Sequence, residues 1–112
     1  MFARLMGLRI ISPGELHDLI QRRQPIVIDV NAPQRWMSQR VPGALNLDPV
    51  GYTSSDLPTD KASRLVFYCS NPMCRKAPNA ARRAEKMGYT NVMVMAAGIT
   101  GWVDAGLPTE GG

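Results

Sequence analysis

The sequence predicts an α/β domain with a mostly parallel central sheet and helices on both faces. Two observations carry this reading. Short, nearly continuous apolar runs rich in β-branched residues recur along the chain, as strands buried on both faces require. Between them lie segments with helical spacing, and strands alternating with helices imply parallel pairing, with ligands at the carboxyl ends of the strands. The 112 residues are one domain's worth, so residues 1–112 are read as a single domain with one core.

Ser12-Pro13-Gly14-Glu15 reads as a helix start: Ser12 caps, Pro13 takes the first position, where its missing N–H costs nothing, and Glu15 completes a capping box. Leu16, Leu19 and Ile20 supply the buried stripe of that helix. Ile26-Val27-Ile28-Asp29-Val30 follows as a central strand, bounded by Asn31-Ala32-Pro33. Pro42 to Leu47 reads as a turn into a brief extended segment, and Asp48 to Lys61, rich in Pro, Ser, Thr, Asp and Gly, as a surface loop. Leu65-Val66-Phe67-Tyr68 is the next strand, ending at Cys69. The loop Ser70 to Arg75 leads into a helix with Ala77, Ala80, Ala81, Ala84 and Met87 at helical spacing, closed by Gly88 as a left-handed cap. Asn91 to Met95 is a further strand, Ala97-Gly98 a turn, and Ile99 to Ala105 a short helix stopped by Gly106 and Pro108. Glu110-Gly111-Gly112 reads as a frayed tail.

Composition narrows the function classes. A net charge of +4, from 13 Lys and Arg against 9 Asp and Glu, suits steering of a small anion. The basic residues are dispersed, and the few aromatics do not interleave with them as stacking platforms, so nucleic acid is not the expected partner. No apolar run approaches the roughly 20 residues of a membrane helix, and Met1 to Ile11, broken by Arg4, Gly7 and Arg9, lacks the features of a secretory signal. Two cysteines do not staple a domain of this size, which points to a reducing, cytoplasmic setting. Those cysteines with the lone His17, placed on the solvent face of the first helix, fall short of a metal site. Trp36 and Trp102 read as core or near-core residues.

Cys69 is the candidate for chemistry. A cysteine at the end of a buried strand, just before a helix, sits where unpaired amides and the positive end of a helix dipole favour the thiolate, the reactive nucleophile. Around it, Ser70, Asn71, Met73, Cys74, Arg75 and Lys76 form a candidate anion-binding set, with loop amides as a nest and Arg75 as a cationic fork. The competing reading of Cys69 is a small buried hydrophobe. Asp29 is read as structural support near the loop, hydrogen-bonded at the sheet edge, and no residue stands out as a general acid.

Four stretches, in order and spacing, resemble the rhodanese family from Ile11 to Thr109: Ile11 to Leu16; Val27-Ile28-Asp29-Val30; Val41-Pro42-Gly43-Ala44-Leu45-Asn46-Leu47; and Gly88 to Val92 with Ala97-Gly98-Ile99-Thr100-Gly101-Trp102 and Ala105 to Pro108. The resemblance implies a rhodanese-like fold and a sulfurtransferase cycle. In that cycle Cys69 takes sulfane sulfur from a small anionic donor such as thiosulfate, carries it as a persulfide cradled by the amides of residues 70–75, and passes it to a thiol, cyanide or protein acceptor. It implies no metal or organic cofactor.

The chain departs from the family pattern in several places. Asn31 stands where the family commonly has arginine, and Gln39-Arg40 where it commonly has Gly-His, departures expected to weaken supporting contacts. The Cys69 loop is longer than usual, Pro72 removes one amide, and a second cysteine, Cys74, is open to three readings: resolving thiol, second persulfide carrier or filler. The Cys-x5-Arg spacing also resembles related phosphatases and arsenate reductases, although no acidic residue lies between Cys69 and Arg75. A non-catalytic module that binds a partner protein is the remaining alternative.

Overall fold

The computed structural model describes residues 7–112, so the first six residues of the Met1–Ile11 stretch lie outside the described part. Five strands form one sheet: β1 (Arg9–Ile10), β2 (Ile26–Asp29), β3 (Leu45–Asn46), β4 (Arg64–Tyr68) and β5 (Asn91–Val94). Their spatial order is β1-β5-β4-β2-β3, and every pair is parallel. The longest strand, β4, lies at the centre, with Val66 opposite Val27 on one side and Met93 on the other.

Successive residues of a strand point to opposite faces, and the apolar runs fill both. Ile28, Leu65, Phe67, Val92 and Val94 meet α3 (Lys76–Lys86) through Ala77, Ala80, Ala81 and Ala84. Val27, Val66 and Tyr68 face the other way, onto Leu16 of α1 (Pro13–Gln21) and onto Ile99 and Trp102 of α4 (Gly98–Asp104). The short alanine side chains let α3 sit low on the sheet, whereas the opposite face is filled by the fully buried Trp102, whose Nε1 donates to the Pro108 carbonyl at 2.8 Å.

The capping box of α1 is formed as the sequence predicts: the Glu15 amide donates to Ser12 Oγ at 3.1 Å and the Ser12 amide to Glu15 Oε1 at 3.0 Å. Gly88, at φ +102°, follows the last turn of α3.

The structure corrects the sequence reading in several places. A helix not read from the sequence, α2 (Pro33–Ser38), begins with Pro33 at its first turn. It carries Trp36, which is half-buried and donates through Nε1 to the Ala44 carbonyl at 2.8 Å. The polar Asp48–Lys61 segment is only partly surface. Tyr52 and Leu57 turn inward, and the Tyr52 hydroxyl donates to the Ala80 carbonyl on α3 at 2.6 Å.

His17 is only partly on the solvent face: it is half-buried, with its ring edge-on to Trp102 at 5.9 Å between centroids. Nor does the tail fray. Glu110 exchanges backbone hydrogen bonds with Arg40 at 3.0 and 2.9 Å, Glu110 Oε1 accepts from the Gly43 amide at 2.9 Å, and the Gly112 amide donates to the Met37 carbonyl at 3.1 Å. An alternation-based reading misses these contacts because each joins residues distant in sequence.

Candidate active site

The carboxyl end of β4 delivers Cys69, which is 3% exposed, and the loop that follows is fixed from below by α4. The Ile99 amide donates to the Cys69 carbonyl at 2.9 Å, and the Ser70 carbonyl accepts from the Thr100 amide at 3.0 Å and from Thr100 Oγ1 at 2.7 Å. Gly98 makes this approach possible. At φ +69° it occupies the left-handed region, and a Cβ there would lie 2.6 Å from the Ser70 carbonyl carbon and 2.7 Å from the Asn71 nitrogen. The sequence reading took Gly98 for a turn residue and Thr100 for ordinary helix; their role in holding the loop is visible only once β5 lies beside β4.

Within the loop, Asn71-Pro72-Met73-Cys74 has asparagine at the first and proline at the second position of a β-turn, where each is favoured. The turn forms: the Cys74 amide donates to the Asn71 carbonyl at 3.1 Å and the Met73 amide to Asn71 Oδ1 at 2.9 Å. The chain thereby folds back until Cys69 and Cys74, with Cα atoms 6.5 Å apart, are joined by a disulfide. Of the three readings of Cys74, this structure shows it as the covalent partner of Cys69, its half-buried side chain against the α3 side of the core.

In this oxidised form the loop is not the amide cradle expected from the sequence. Pro72 has no N–H, and the Met73 and Cys74 amides are spent on Asn71. The space beside the disulfide, lined by Cys69, Cys74, Ala77 and Met95, is about 10 Å³, room for a water and not for a sulfur oxyanion. Met73 stands 73% exposed at the loop tip. Arg75 and Lys76 are exposed where α3 begins, and Lys76 also borders a cleft of about 230 Å³ with Asn31, Pro33, Asn46 and Asp48.

Asp29 is buried at the carboxyl end of β2, an interior strand rather than the sheet edge. Its Oδ2 accepts from the Tyr68 hydroxyl at 2.6 Å and its Oδ1 from the Asn31 amide at 2.7 Å. The Tyr68 oxygen in turn accepts from the Val41 amide at 3.0 Å, so one buried chain of hydrogen bonds joins the residue before Cys69 to the Val41-Pro42-Gly43-Ala44 turn. Burial raises the Asp29 carboxyl above the ordinary aspartate range, against the lowering effect of the Tyr68 and Asn31 hydrogen bonds and the Arg35 charge. The Tyr68 hydroxyl is pushed up by burial and by that neighbouring carboxylate.

The two departures from the expected pattern carry contacts of their own. Asn31 also accepts from Asn46 Nδ2 at 2.9 Å, and Arg40 lies over the Trp36 ring at 4.4 Å and pairs with Glu110. Among the described residues no cluster of three or more His, Cys, Asp or Glu side chains is placed to hold a metal ion, and no helix is long and apolar enough to cross a membrane.

The sheet, the two helix layers and the cysteine loop define a class: parallel α/β domains that present a cysteine between a central strand and the following helix. The family model for the rhodanese-like domain matches residues 12–105, and the chain belongs to that family. Thiosulfate sulfurtransferase GlpE of Actinobacillus succinogenes is 30% identical over 105 residues, covering 94% of this chain and 93% of that protein. An uncharacterised protein of Synechocystis is 27% identical over 99 residues; the match covers 88% of this chain and 54% of that protein, so the chain spans about half of its length. Among solved structures, a protein of Bacillus halodurans superimposes with a TM-score of 0.84 at 20% identity, covering 98% of this chain and 81% of that one.

Proposed function

We propose that the reduced protein is a rhodanese-type sulfurtransferase in which Cys69 carries sulfane sulfur. The observation that carries this reading is the position of Cys69 in a member of this family: the end of the central strand, joined by the loop 70–75 to the 11-residue helix α3. Opening the Cys69–Cys74 bond frees the nucleophile and releases the loop to re-aim its amides. The amino end of α3 then favours the thiolate, and the exposed Arg75 and Lys76 draw in a small anionic donor such as thiosulfate.

The Cys69 thiolate attacks the outer sulfur of thiosulfate, forming an S–S bond to Cys69 as the sulfur–sulfur bond of the donor breaks and sulfite leaves with the electron pair. Once the loop has re-aimed, its remaining amides stabilise the resulting persulfide anion, and a thiol, cyanide or protein acceptor removes its outer sulfur. Asp29, through Tyr68, positions the strand end that bears Cys69. The cycle starts from a reduced Cys69, which fits a reducing compartment such as the cytoplasm.

Sulfite release tests this reading. Reduced protein mixed with thiosulfate, without added acceptor, is expected to release one sulfite per chain, and Cys69→Ser none. An absence of sulfite from the fully reduced wild type would overturn the thiosulfate reading.

A further inference from the structure

We infer that Cys74 is an internal resolving thiol, so that the chain converts bound sulfane sulfur to free hydrosulfide and ends each turnover as the Cys69–Cys74 disulfide. The inference rests on the sulfurtransferase reading and extends it to the fate of the sulfur.

Three observations carry it. The two cysteines are bonded with Cα atoms 6.5 Å apart, so the fold accommodates the product without rearranging its helices or strands. The juxtaposition is encoded locally: the Asn71-Pro72-Met73-Cys74 turn, with its two hydrogen bonds to Asn71, folds Cys74 back over Cys69 using contacts that do not involve either sulfur. Cys69 is 3% exposed while Cys74 is half-buried. Cys74 stands beside the Cys69 sulfur at the effective concentration of an intramolecular neighbour, ahead of any external acceptor that must diffuse to the site.

The step balances. The Cys74 thiolate attacks Sγ of the Cys69 persulfide, the Sγ69–Sγ74 bond forms, and the bond from Sγ69 to the sulfane sulfur breaks. The sulfane sulfur leaves with the electron pair as hydrosulfide: it is reduced by two electrons, and the cysteine pair is oxidised by two. The proton lost by Cys74 passes to solvent. An external thiol then attacks the Cys74 sulfur, expelling Cys69 as the thiolate and forming a mixed disulfide on Cys74; a second thiol, or the second group of a dithiol, attacks the external sulfur of that bond, expels Cys74 as the thiolate and leaves as the external disulfide. The sum is thiosulfate plus two thiols giving sulfite, hydrogen sulfide and a disulfide. Chemically, the domain stands between a process that supplies thiosulfate and one that consumes sulfide.

The test is a single anaerobic turnover of reduced, desalted protein with thiosulfate, reading intact mass, sulfite and hydrosulfide together. The wild type is expected to lose the mass of two hydrogens and to release one hydrosulfide per chain along with its sulfite. Cys74→Ser is expected to release sulfite, gain the mass of one sulfur atom and release no hydrosulfide. If the wild type and Cys74→Ser both retain the sulfur as a persulfide, the resolving role is overturned and the sulfurtransferase reading stands. If neither releases sulfite, the sulfurtransferase reading falls and this inference with it. Disulfide formation at the same rate without thiosulfate, and without hydrosulfide, also overturns it.

Discussion

Replacing Gly98 with alanine strikes the contact on which the cysteine loop rests. Two costs add. A side chain at φ +69° carries the left-handed penalty of about 1–2 kcal/mol. The new methyl would also sit 2.6–2.7 Å from three backbone atoms of Ser70 and Asn71, and backbone, unlike the end of a flexible side chain, does not yield cheaply. To relieve the overlap, α4 and the loop must separate, stretching the Ile99–Cys69 and Thr100–Ser70 backbone bonds, each worth about 0.5–1.5 kcal/mol net. The expected loss is about 3 kcal/mol, or roughly 10–15 °C in Tm for a chain of this length. Urea unfolding of the oxidised protein measures it as a shift in midpoint at unchanged slope. A loss under about 1 kcal/mol would refute the reasoning, since the left-handed penalty alone predicts at least that much.

Two further outcomes follow from contacts elsewhere. Because burial raises the Asp29 carboxyl, the folded state holds that proton at pH values where the unfolded chain has released it; the contribution is fully present below the ordinary aspartate value and is lost as pH rises through the raised one. Asp29→Asn is therefore expected to flatten the fall in stability with pH from about pH 4 upward, measured by urea midpoints across that range, and identical slopes in the two proteins would refute it. Tyr52→Phe removes the hydroxyl that ties the 48–61 segment to Ala80 and leaves a buried carbonyl without that partner, so a loss of about 1–2 kcal/mol in thermal or urea unfolding is expected; no change would show that the carbonyl finds another donor.

Much of the fold was legible because its signals are local. The apolar runs at Ile26, Leu65 and Asn91 needed only their own composition to be read as doubly covered strands, and the Ser12 cap needed only four residues. Cys69 was legible as a candidate for the same reason: it stands between a strand and a helix that can each be read alone. What stayed hidden depends on long-range neighbours. Tyr68 meets Asp29 across 39 positions, Thr100 reaches Ser70 across 30, and Gly43 meets Glu110 across 67. No periodicity reports such pairings, because they are set by which strands lie side by side. The buried face of the 48–61 segment was missed because Tyr52 and Leu57 stand among polar residues whose composition outweighs them. The loop turn is an intermediate case. Its Asn-Pro signal was present in the sequence and folds the turn locally, while the Cys69 end of the loop is held from a distance, by Ile99 and Thr100 of α4.

The outermost strands, β1 and β3, are only two residues long each, while the longer strands lie inside the sheet. Among the described residues, a foreign segment seeking to extend the sheet would find almost no unpaired ladder at either side, a feature that guards against edge-to-edge aggregation and disfavours strand addition as a mode of recognition.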